Sequence, residues 1–419
     1  MDYRFRVYPT PEQEELINKT FGCVRFIYNW ALETKSGAYR YNKERLSCYD
    51  LKNKLPSLKE ENEWLKEVDS QALQIAIENL DNAYYHFFIR LKKGIKGKKL
   101  GFPQYKTKNK SKKSYTTNNT NNSIRIEEGK LKIPKVGLLN IVFHRHVKGI
   151  IKSVTISCTS SGKYYISIKT RIEEKEIKYV VNKDNVVGLD MSFSECSVAS
   201  DGTRAKFTRF YRKSEKKLAK TNRRMHKRDK GSKNREKAKK KLAIAHEKVA
   251  NQRKDFLNKL SYSISNKYDV VIVEDIDLSA MKKKGKRRKY GKSISDIGFG
   301  ELRRQLEYKL LRKGKIFIKA PRFLASSQLC SSCGYKNKDV KDLSIREWEC
   351  PKCNAKHDRD VNAGLNLVNW YKSTAAAAGI HAYGDKTSTS YHKLASPVSE
   401  VGKIAQQSLI DQAPTFRWG

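Results

Sequence analysis

The sequence has 419 residues and a formal net charge of +44 at pH 7, with 88 lysines and arginines against 44 aspartates and glutamates. A hydrophobic content of 38% excludes wholesale disorder, and no stretch approaches the roughly 20 apolar residues of a membrane span. We therefore expect a soluble, intracellular protein of two or three domains whose excess positive charge is matched by a polyanion, with nucleic acid the first partner to test.

The N-terminal part of the chain changes from a strand pattern to a helix pattern and back. Residues 3–8 alternate like a strand, and Thr10 can cap the helix that follows. Apolar residues recur at helical spacing through residues 11–98, and short alternating runs follow through residues 99–180. The pattern predicts a β-barrel or sheet domain, residues 1–10 and 99–180, that carries a helical lobe as an insertion.

The second half has the pattern of an α/β domain. Apolar strands are predicted at residues 186–190 and 270–273, the first of them opening a three-stranded meander whose third strand spans residues 205–210. The last helix is predicted at residues 360–371. We expect the tail, residues 373–419, to be largely disordered because it is poor in bulky apolar residues.

A basic helical hairpin interrupts this α/β domain at residues 212–260. It breaks at Gly231-Ser232, and its second half repeats apolar residues near heptad spacing. Its outside carries many bases, among them Arg223, Arg224 and Lys227. An ordinary solvated face is the alternative, but the bias in sign favours a groove that follows a nucleic-acid backbone.

Three acids stand where an α/β protein places its ligands. Asp190 and Glu274 each end an apolar strand, and Asp360 opens the final helix. Together they supply the oxygen ligands that a pair of Mg²⁺ ions needs on either side of a scissile phosphate. Taken singly, each acid could be a turn residue, a solvated charge or a helix cap. Helix periodicity does not choose between Asp360 and Asp358 as the third ligand.

Two polar residues of the same helix remain open in their role. Asn362 and Asn366 lie four residues apart on the polar side of the helix that follows Asp360. They either orient the acids or belong to the surface.

Four of the eight cysteines form two close pairs. Cys330 and Cys333 are separated by 16 residues from Cys350 and Cys353, which is within the spacing of four-cysteine zinc sites. Four thiolates leave no open coordination position, so the spacing predicts a structural Zn²⁺. A disulfide or a redox dithiol is the serious competitor.

The ordered motifs of the chain resemble the TnpB (OrfB) family of transposon-encoded, RNA-guided nucleases, which is related to compact type V CRISPR effectors. The resemblance covers nearly the whole chain, from residues 3–10 to residues 380–385. Its motifs include Gly188-Leu189-Asp190, Val273-Glu274-Asp275-Ile276, Gly300-Glu301-Leu302-Arg303-Arg304-Gln305, Cys330-Ser331-Ser332-Cys333-Gly334, Arg346-Glu347-Trp348-Glu349-Cys350-Pro351 and His357-Asp358-Arg359-Asp360-Val361-Asn362-Ala363.

This resemblance implies a fold and a catalytic site. The fold would be a wedge-like β domain, residues 1–10 and 99–180, holding a helical recognition lobe, residues 11–98. It would continue into a RuvC/RNase H-like nuclease domain, residues 181–325 and 357–372, with the zinc-binding element inserted at residues 326–356. The family's third acid falls on Asp360 rather than Asp358. The sequence departs from the family at Met191-Ser192-Phe193, where a glycine usually stands two residues after the first acid, and we expect no loss of activity from Ser192.

The resemblance also implies partners. A guide RNA from the transposon end would pair with double-stranded target DNA beside a short target-adjacent motif. The expected nucleic-acid contacts are Tyr49, Gln71, Gln74 and Thr116 for that motif, with Arg223, Arg224, Lys227, Arg303 and Arg304 elsewhere. We expect a monomer with no membrane partner, in the prokaryotic cytoplasm and on the nucleoid when bound to DNA.

Two other functions compete with a guided, Mg²⁺-dependent endonuclease. A guided repressor would bind without cutting, although the presence of all three acids argues against it. An unguided RNase H-like nuclease would cut without RNA. A strand-transferring transposase is disfavoured because, in the family, a partner protein is thought to perform transposition.

Overall fold

The computed structural model describes residues 1–95, 97, 100–172, 181–192, 195–277, 291–322, 324–342 and 344–378. Most of the predicted tail, the motif at residues 380–385, and Phe193 lie outside these residues. The chain divides into two compact units, Met1–Glu176 with Glu215–Lys248 and Ile177–Ser214 with Val249–Gly419. Within the described ranges, the structure contains no helix with the length and apolar character needed to cross a membrane.

The first unit opens with a strand and four helices. Strand β1 (Asp2–Tyr8) leads into α1 (Pro11–Asn42), where Thr10 forms the predicted cap and exchanges hydrogen bonds with Gln13. Three further helices follow: α2 (Cys48–Asn53), α3 (Leu55–Glu61) and α4 (Ser70–Lys92). Asp69 caps α4, and it also accepts a hydrogen bond from Thr117, so the start of α4 is fixed to the sheet.

The sheet of the first unit is antiparallel and has seven strands. Its other members are β2 (Lys113–Asn118), β3 (Arg125–Glu127), β4 (Lys130–Ile133), β5 (Gly137–Val142), β6 (Ile150–Cys158) and β7 (Tyr164–Arg171). The order is β2-β6-β7-β1-β5-β4-β3, so β1 lies at the centre and the helices α1–α4 interrupt the sheet in sequence. Among the described strands β2 and β3 are edges, and the expected closure into a barrel is not among their pairings.

The helices and the sheet of this unit share one apolar core. Phe5 and Ile166 of the sheet belong to the same buried cluster as Ile27 of α1 and Leu73 of α4. Each of these side chains is at most 1% exposed. The sheet and the helices share this buried cluster, so it does not divide them into two domains. The division into a β domain and a helical lobe stays a prediction.

The basic hairpin forms as two helices, α5 (Phe210–His226) and α6 (Lys233–Lys267). The break falls at the predicted place, where Gly231 adopts a φ of +92°. Phe210 begins α5 instead of ending the predicted third strand of the meander. Two contacts hold the start of this helix. The rings of Phe207, Phe210 and Phe256 form a cluster, and Asp296 accepts a hydrogen bond from the Tyr211 amide in the first turn.

The second unit contains a five-stranded sheet. The strands β8 (Val186–Asp190), β9 (Ser197–Ala199), β10 (Arg204–Ala205), β11 (Val270–Glu274) and β12 (Ile316–Ala320) are arranged in the order β10-β9-β8-β11-β12. Strands β8, β11 and β12 are parallel. Helices α7 (Gly291–Ile297), α8 (Phe299–Arg312) and α9 (Arg359–Ala378) complete this α/β arrangement.

Alternate residues of β8 and β11 face two different layers. Leu189 and Val273 pack in a cluster with Leu302 and Leu306 of α8. Ile272, on the opposite face, packs with α9. Helix α9 continues to Ala378, seven residues past its predicted end, because its last residues are alanines, which favour helix strongly.

A small element lies between β12 and α9. It contains the hairpin β13 (Glu347–Glu349) and β14 (Lys356–Asp358) and both cysteine pairs. Val340 and Trp348 form its separate apolar cluster with the cysteines. Strand β14 runs directly into α9, so the end of the element and the start of the helix are continuous.

Candidate active site and metal centre

Two of the predicted acids lie side by side at the edge of the parallel sheet. Leu189 of β8 is the register partner of Val273 of β11, so the next residues, Asp190 and Glu274, end neighbouring strands at the same level. Both follow residues whose side chains face α8. Because strand side chains alternate, both acids belong to the face covered by α9.

A contact between two glycines brings the start of α9 to this edge. A Cβ placed on Gly188 would lie 2.0 Å from the carbonyl oxygen of Gly364, and one placed on Gly364 would lie 3.0 Å from the carbonyl oxygen of Gly188. The backbones can approach this closely only because neither residue has a side chain. Asp360 is one helical turn before Gly364, and Asp190 is two residues after Gly188, so the contact places the third acid near the first.

The structure separates the roles of Asp358 and Asp360. Asp358 accepts hydrogen bonds from the amides of Asp360 and Val361, at 3.1 and 2.9 Å, and so caps α9. Its other oxygen pairs with Arg204 at 2.7 Å, and Arg204 also binds Glu195. Asp358 is therefore held by protein groups on both oxygens, whereas Asp360 lies inside the helix with its carboxylate toward Arg346.

The charges of the other two acids act on Asp190. Burial, followed by the charges of Glu274 and Asp360, raises the pKa of Asp190 well above its ordinary value. Two neighbouring groups offset part of this repulsion. The cationic guanidinium of Arg346 approaches both oxygens of Asp360 at 3.5 Å, and the neutral hydroxyl of Ser326 donates a hydrogen bond to Glu274. Clustered acids of this kind suit hard divalent cations such as Mg²⁺.

The four predicted cysteines come together. The Sγ atoms of Cys330 and Cys353 are 3.6 Å apart, as are those of Cys333 and Cys350, and all four lie within 4.8 Å of one another. These separations are far too long for a disulfide. They match the roughly 3.8 Å that four sulfurs keep when each is about 2.3 Å from a central tetrahedral Zn²⁺. Among the described residues, no group of three or more His, Cys, Asp or Glu side chains other than this one is as compact.

Each cysteine pair closes a turn of the same kind. The amide of Gly334 donates to the carbonyl of Cys330, and the amide of Asn354 donates to that of Cys350, at 2.9 and 2.8 Å. Gly334 and Asn354 both have positive φ, 75° and 59°, as expected for the residue that follows each pair. We call residues 330–334 the first knuckle and residues 350–354 the second knuckle.

Three residues that contact the cysteines or the acids have no clear signal in the sequence. His357 lies with its Nε2 3.0 Å from the Cys330 sulfur, and Ser326 and Arg346 reach Glu274 and Asp360 from the four-cysteine element. The resemblance motifs contain His357 and Arg346, but their spacing does not indicate what they touch. Ser326 could be found only from the fold.

Asn362 and Asn366 are not surface residues, and among the described residues their hydrogen bonds go to backbone groups instead of an acid. They are 1% and 7% exposed. Asn362 donates to the Leu329 carbonyl and accepts from the Ser331 amide, and Asn366 donates to the carbonyls of Ser326 and Leu329. Both therefore bind the backbone around the first knuckle.

The residues expected to contact nucleic acid lie in several environments. Thr116 lines a groove of about 990 Å³ that also contains Arg25, Lys106, Lys108, Lys112 and Lys113 and has no acid in its described lining. Tyr49 is 71% exposed, and Gln71 and Gln74 are partly exposed on α4. Arg223, Arg224 and Lys227 are exposed at the end of α5. Arg303 and Arg304 are instead engaged with Asp275 and Glu301.

Three sequence models of protein families match the chain. The one described as "Probable transposase" covers residues 167–285, the "Cas12f1-like, TNB domain" covers residues 299–367, and a "Helix-turn-helix domain" covers residues 1–44. The structure shows β1 and the single long helix α1 in the last of these ranges.

Two curated relatives are similar over most of their length. A Streptomyces pristinaespiralis protein named "Putative RNA-guided DNA endonuclease" is 33% identical over 388 residues, which is 91% of this chain and 90% of the relative. The Escherichia coli K12 protein InsQ, which bears the same description, is 30% identical over 390 residues, covering 87% of this chain and 91% of its own.

Solved structures give a weaker likeness. A cryo-EM structure of a Cas12f1–sgRNA–target DNA complex covers 88% of this chain and 98% of that chain, with 16% identity and a TM-score of 0.32. A CRISPR-Cas12f ternary complex has 18% identity and a TM-score of 0.34.

Proposed function

Because the chain belongs to the TnpB (OrfB) family of transposon-encoded RNA-guided nucleases, and is a nuclease, we propose that it hydrolyses DNA at Asp190, Glu274 and Asp360 under the direction of a guide RNA. The observation that carries the proposal is the convergence of these three acids, from two strand ends and one helix start, on one edge of a parallel sheet. Ligand sites of α/β sheets lie at this edge.

The three carboxylates would hold Mg²⁺, since their oxygens are the donors that this ion prefers. When bound, Mg²⁺ polarises a phosphate oxygen and lowers the pKa of a coordinated water, and two such ions would suit phosphodiester hydrolysis. The protein contributes a rigid base for the acids, because Asp190 and Glu274 end buried strands and Asp360 is fixed by the Gly188–Gly364 contact. Arg346 pairs with Asp360, and the Ser326 hydroxyl donates a hydrogen bond to Glu274, so both groups stabilise the negative charge of these acids.

The four cysteines would hold a structural Zn²⁺. Their sulfur separations fit a tetrahedral site, and four protein ligands leave no position for substrate. We assign residues 326–356 to this zinc element, and residues 181–325 with 357–372 to a RuvC-like nuclease domain that surrounds it in sequence.

The first unit would bind the nucleic acids, with residues 1–10 and 99–180 as the wedge and residues 11–98 as the recognition lobe. Support comes from the groove lined by Thr116, where five basic residues and no described acid face the same space. Tyr49, Gln71 and Gln74 stand on helices of the same unit and would help to read the target-adjacent motif. The exposed bases Arg223, Arg224 and Lys227 would contact backbone phosphates.

Two of the residues expected to contact nucleic acid already pair with acids of this chain. Arg303 pairs with Asp275 at 3.3 Å, and Arg304 pairs with Glu301 at 2.7 Å. Arg304 is nevertheless 63% exposed and could exchange partners, whereas Arg303 is 30% exposed and supports the segment after Glu274. We keep both as nucleic-acid contacts of lower rank.

The test is a cleavage assay on the protein with its own RNA. The chain is purified from cells that carry its native flanking DNA, the bound RNA is sequenced, and a plasmid with a matching target is incubated with Mg²⁺ or with EDTA. We expect cutting that requires Mg²⁺ and follows the RNA sequence. Target binding without cutting would indicate a guided repressor, and cutting without RNA would indicate an unguided nuclease.

A further inference from the structure

Three residues that are neither zinc ligands nor acids connect the four-cysteine element to the proposed acid site through hydrogen bonds. The joining residues are Asn362 and Asn366 of α9, which we call the asparagine clamp, and Ser326, which precedes the first knuckle. All three side chains are buried, with exposures of 1%, 7% and 3%.

The clamp grips the chain on both sides of Cys330. The Leu329 carbonyl accepts from both asparagines, each at 2.7 Å, and the Ser331 amide donates to Asn362 at 3.0 Å. Because Cys330 lies between these two contacts, the position of its sulfur relative to α9 is fixed by the clamp. When one partner of such a buried hydrogen bond is removed, the other partner is left without a hydrogen bond and away from water, which destabilises the protein.

The same clamp determines where Ser326 stands. Asn366 donates to the Ser326 carbonyl at 2.7 Å, and the Ser326 hydroxyl donates to Glu274. A contact therefore runs from the first knuckle, through Asn366 and Ser326, to one acid of the proposed catalytic site. The second knuckle belongs to a hairpin that ends at Asp358, two residues before Asp360.

We infer that the asparagine clamp couples metal binding at the four cysteines to metal binding at Glu274, with Asn366 and Ser326 acting as positioning residues. The physical reason is that an ordered first knuckle holds Ser326 against Glu274, and a displaced one does not. Coupling between two binding sites is reciprocal, so each metal should strengthen the binding of the other by the same factor. The part that concerns cleavage rests on the function proposed above.

The test measures both metals on the full-length, zinc-loaded protein. Zinc release is followed with a coloured chelator, and binding of Mn²⁺, as a stand-in for Mg²⁺, is followed by electron paramagnetic resonance. The signal that remains in Asp190→Ala is subtracted to isolate the acid site. Neither measurement requires cleavage.

For Asn366→Leu, which removes the two donated hydrogen bonds at nearly constant volume, we expect faster zinc release and weaker Mn²⁺ binding. Each change should be about tenfold or more, the usual effect of removing an outer-shell partner of a metal site. Asn369→Leu is the matched control: Asn369 lies on the same helix and donates to Ser331, but its bond is exposed. We expect both values within about twofold of the wild type there.

Ser326→Ala separates coupling from a simple loss of folding. It leaves the clamp intact, so zinc release measured without Mn²⁺ should be unchanged while Mn²⁺ binding weakens. Unchanged Mn²⁺ binding in both Asn366→Leu and Ser326→Ala would overturn the inference, as would unchanged zinc release in Asn366→Leu. A wild type that binds Mn²⁺ with the expected coupling, yet never cuts guided DNA, would refute the proposed function and leave the coupling in place.

Discussion

The four cysteines and the three acids lie in the same unit of the chain, but they are prepared for a metal to different degrees. The four sulfurs stand within 4.8 Å of one another, at separations that a tetrahedral ion would keep. The acids are less compact, and two of them are occupied by protein groups, Asp360 by Arg346 and Glu274 by Ser326. The four-cysteine centre is closed, whereas protein groups already contact two of the three carboxylates at the proposed acid site.

This difference shows how a protein distributes stability between its sites. The turns after each cysteine pair, the burial of Cys330 and Cys350, and a small apolar cluster all favour the closed centre. At the acids, burial and the charges of Glu274 and Asp360 raise the pKa of Asp190, so its charged form is disfavoured at the site proposed for catalysis. Sites of reaction commonly keep such a local cost.

The largest effect should come from Asp190→Ala. Removing an acid of the proposed catalytic site should lower the rate of guided DNA cleavage more than about a hundredfold, beyond the loss caused by outer-shell partners. Binding of RNA and DNA should stay near that of the wild type, measured by filter binding beside a plasmid cleavage assay. Loss of nucleic-acid binding as well would show that Asp190 has a structural role.

The closed centre is tested by Cys330→Ser combined with Cys353→Ser. Two of four thiolates are lost, so zinc content should fall to background and the free energy of unfolding should drop by several kcal/mol. Elemental analysis and thermal melting measure the two quantities.

Cys48→Ser with Cys158→Ser is the matched control, since both cysteines are partly buried and pack against the apolar core of the first unit. We expect its zinc content to equal that of the wild type. Full zinc retention in the Cys330 and Cys353 variant would contradict ligation by four cysteines.

A third experiment tests the glycine contact that joins the acids. In Gly188→Ala, the new methyl group meets the Gly364 carbonyl at 2.0 Å, and backbone must move. We expect a loss of about 1–3 kcal/mol of stability, together with a large loss of cleavage, measured by denaturant unfolding and the plasmid assay.

Gly37→Ala on α1 is the control, because a Cβ there has open space within 4 Å. Helix propensity should make it more stable by about 0.5–1 kcal/mol. Wild-type activity in a folded Gly188→Ala protein would show that the contact does not position Asp360.

The smallest change in stability among the site variants should be a gain. Asp190→Asn removes a charge that burial and two neighbouring carboxylates disfavour, so the melting temperature in EDTA should rise by about 2 °C or more. Cleavage should be lost at the same time. A lower melting temperature would mean that Asp190 accepts stabilising hydrogen bonds that outweigh this repulsion.

The sequence was sufficient for the elements with strong local signals. The Thr10 cap, the apolar strands that end at Asp190 and Glu274, and the grouping of the cysteines all follow from residue type and spacing. The choice between Asp358 and Asp360 could not come from spacing, since it depends on Arg204, which lies more than 150 residues away along the chain.

Other features of the fold could not be predicted from the sequence because they also depend on contacts between distant parts of the chain. Strands β3 and β4 are short, and the polar sequence around β2 gives little alternation, so only pairing with neighbours reveals them. The sequence left Asn362 and Asn366 open between orienting the acids and lying at the surface, and only the fold shows that both bind the backbone around the first knuckle. Tertiary contacts decided each of these cases.

The first two turns of α9 perform four tasks within nine residues: a cap at Asp358, an acid at Asp360, a clamp at Asn362 and Asn366, and a backbone contact at Gly364. In a saturation mutagenesis library this segment should therefore accept few codons, with Leu365, which is 37% exposed, as the most permissive position. Gene copies that are decaying after transposition should lose function here through single nucleotide changes more often than in the rest of the helix.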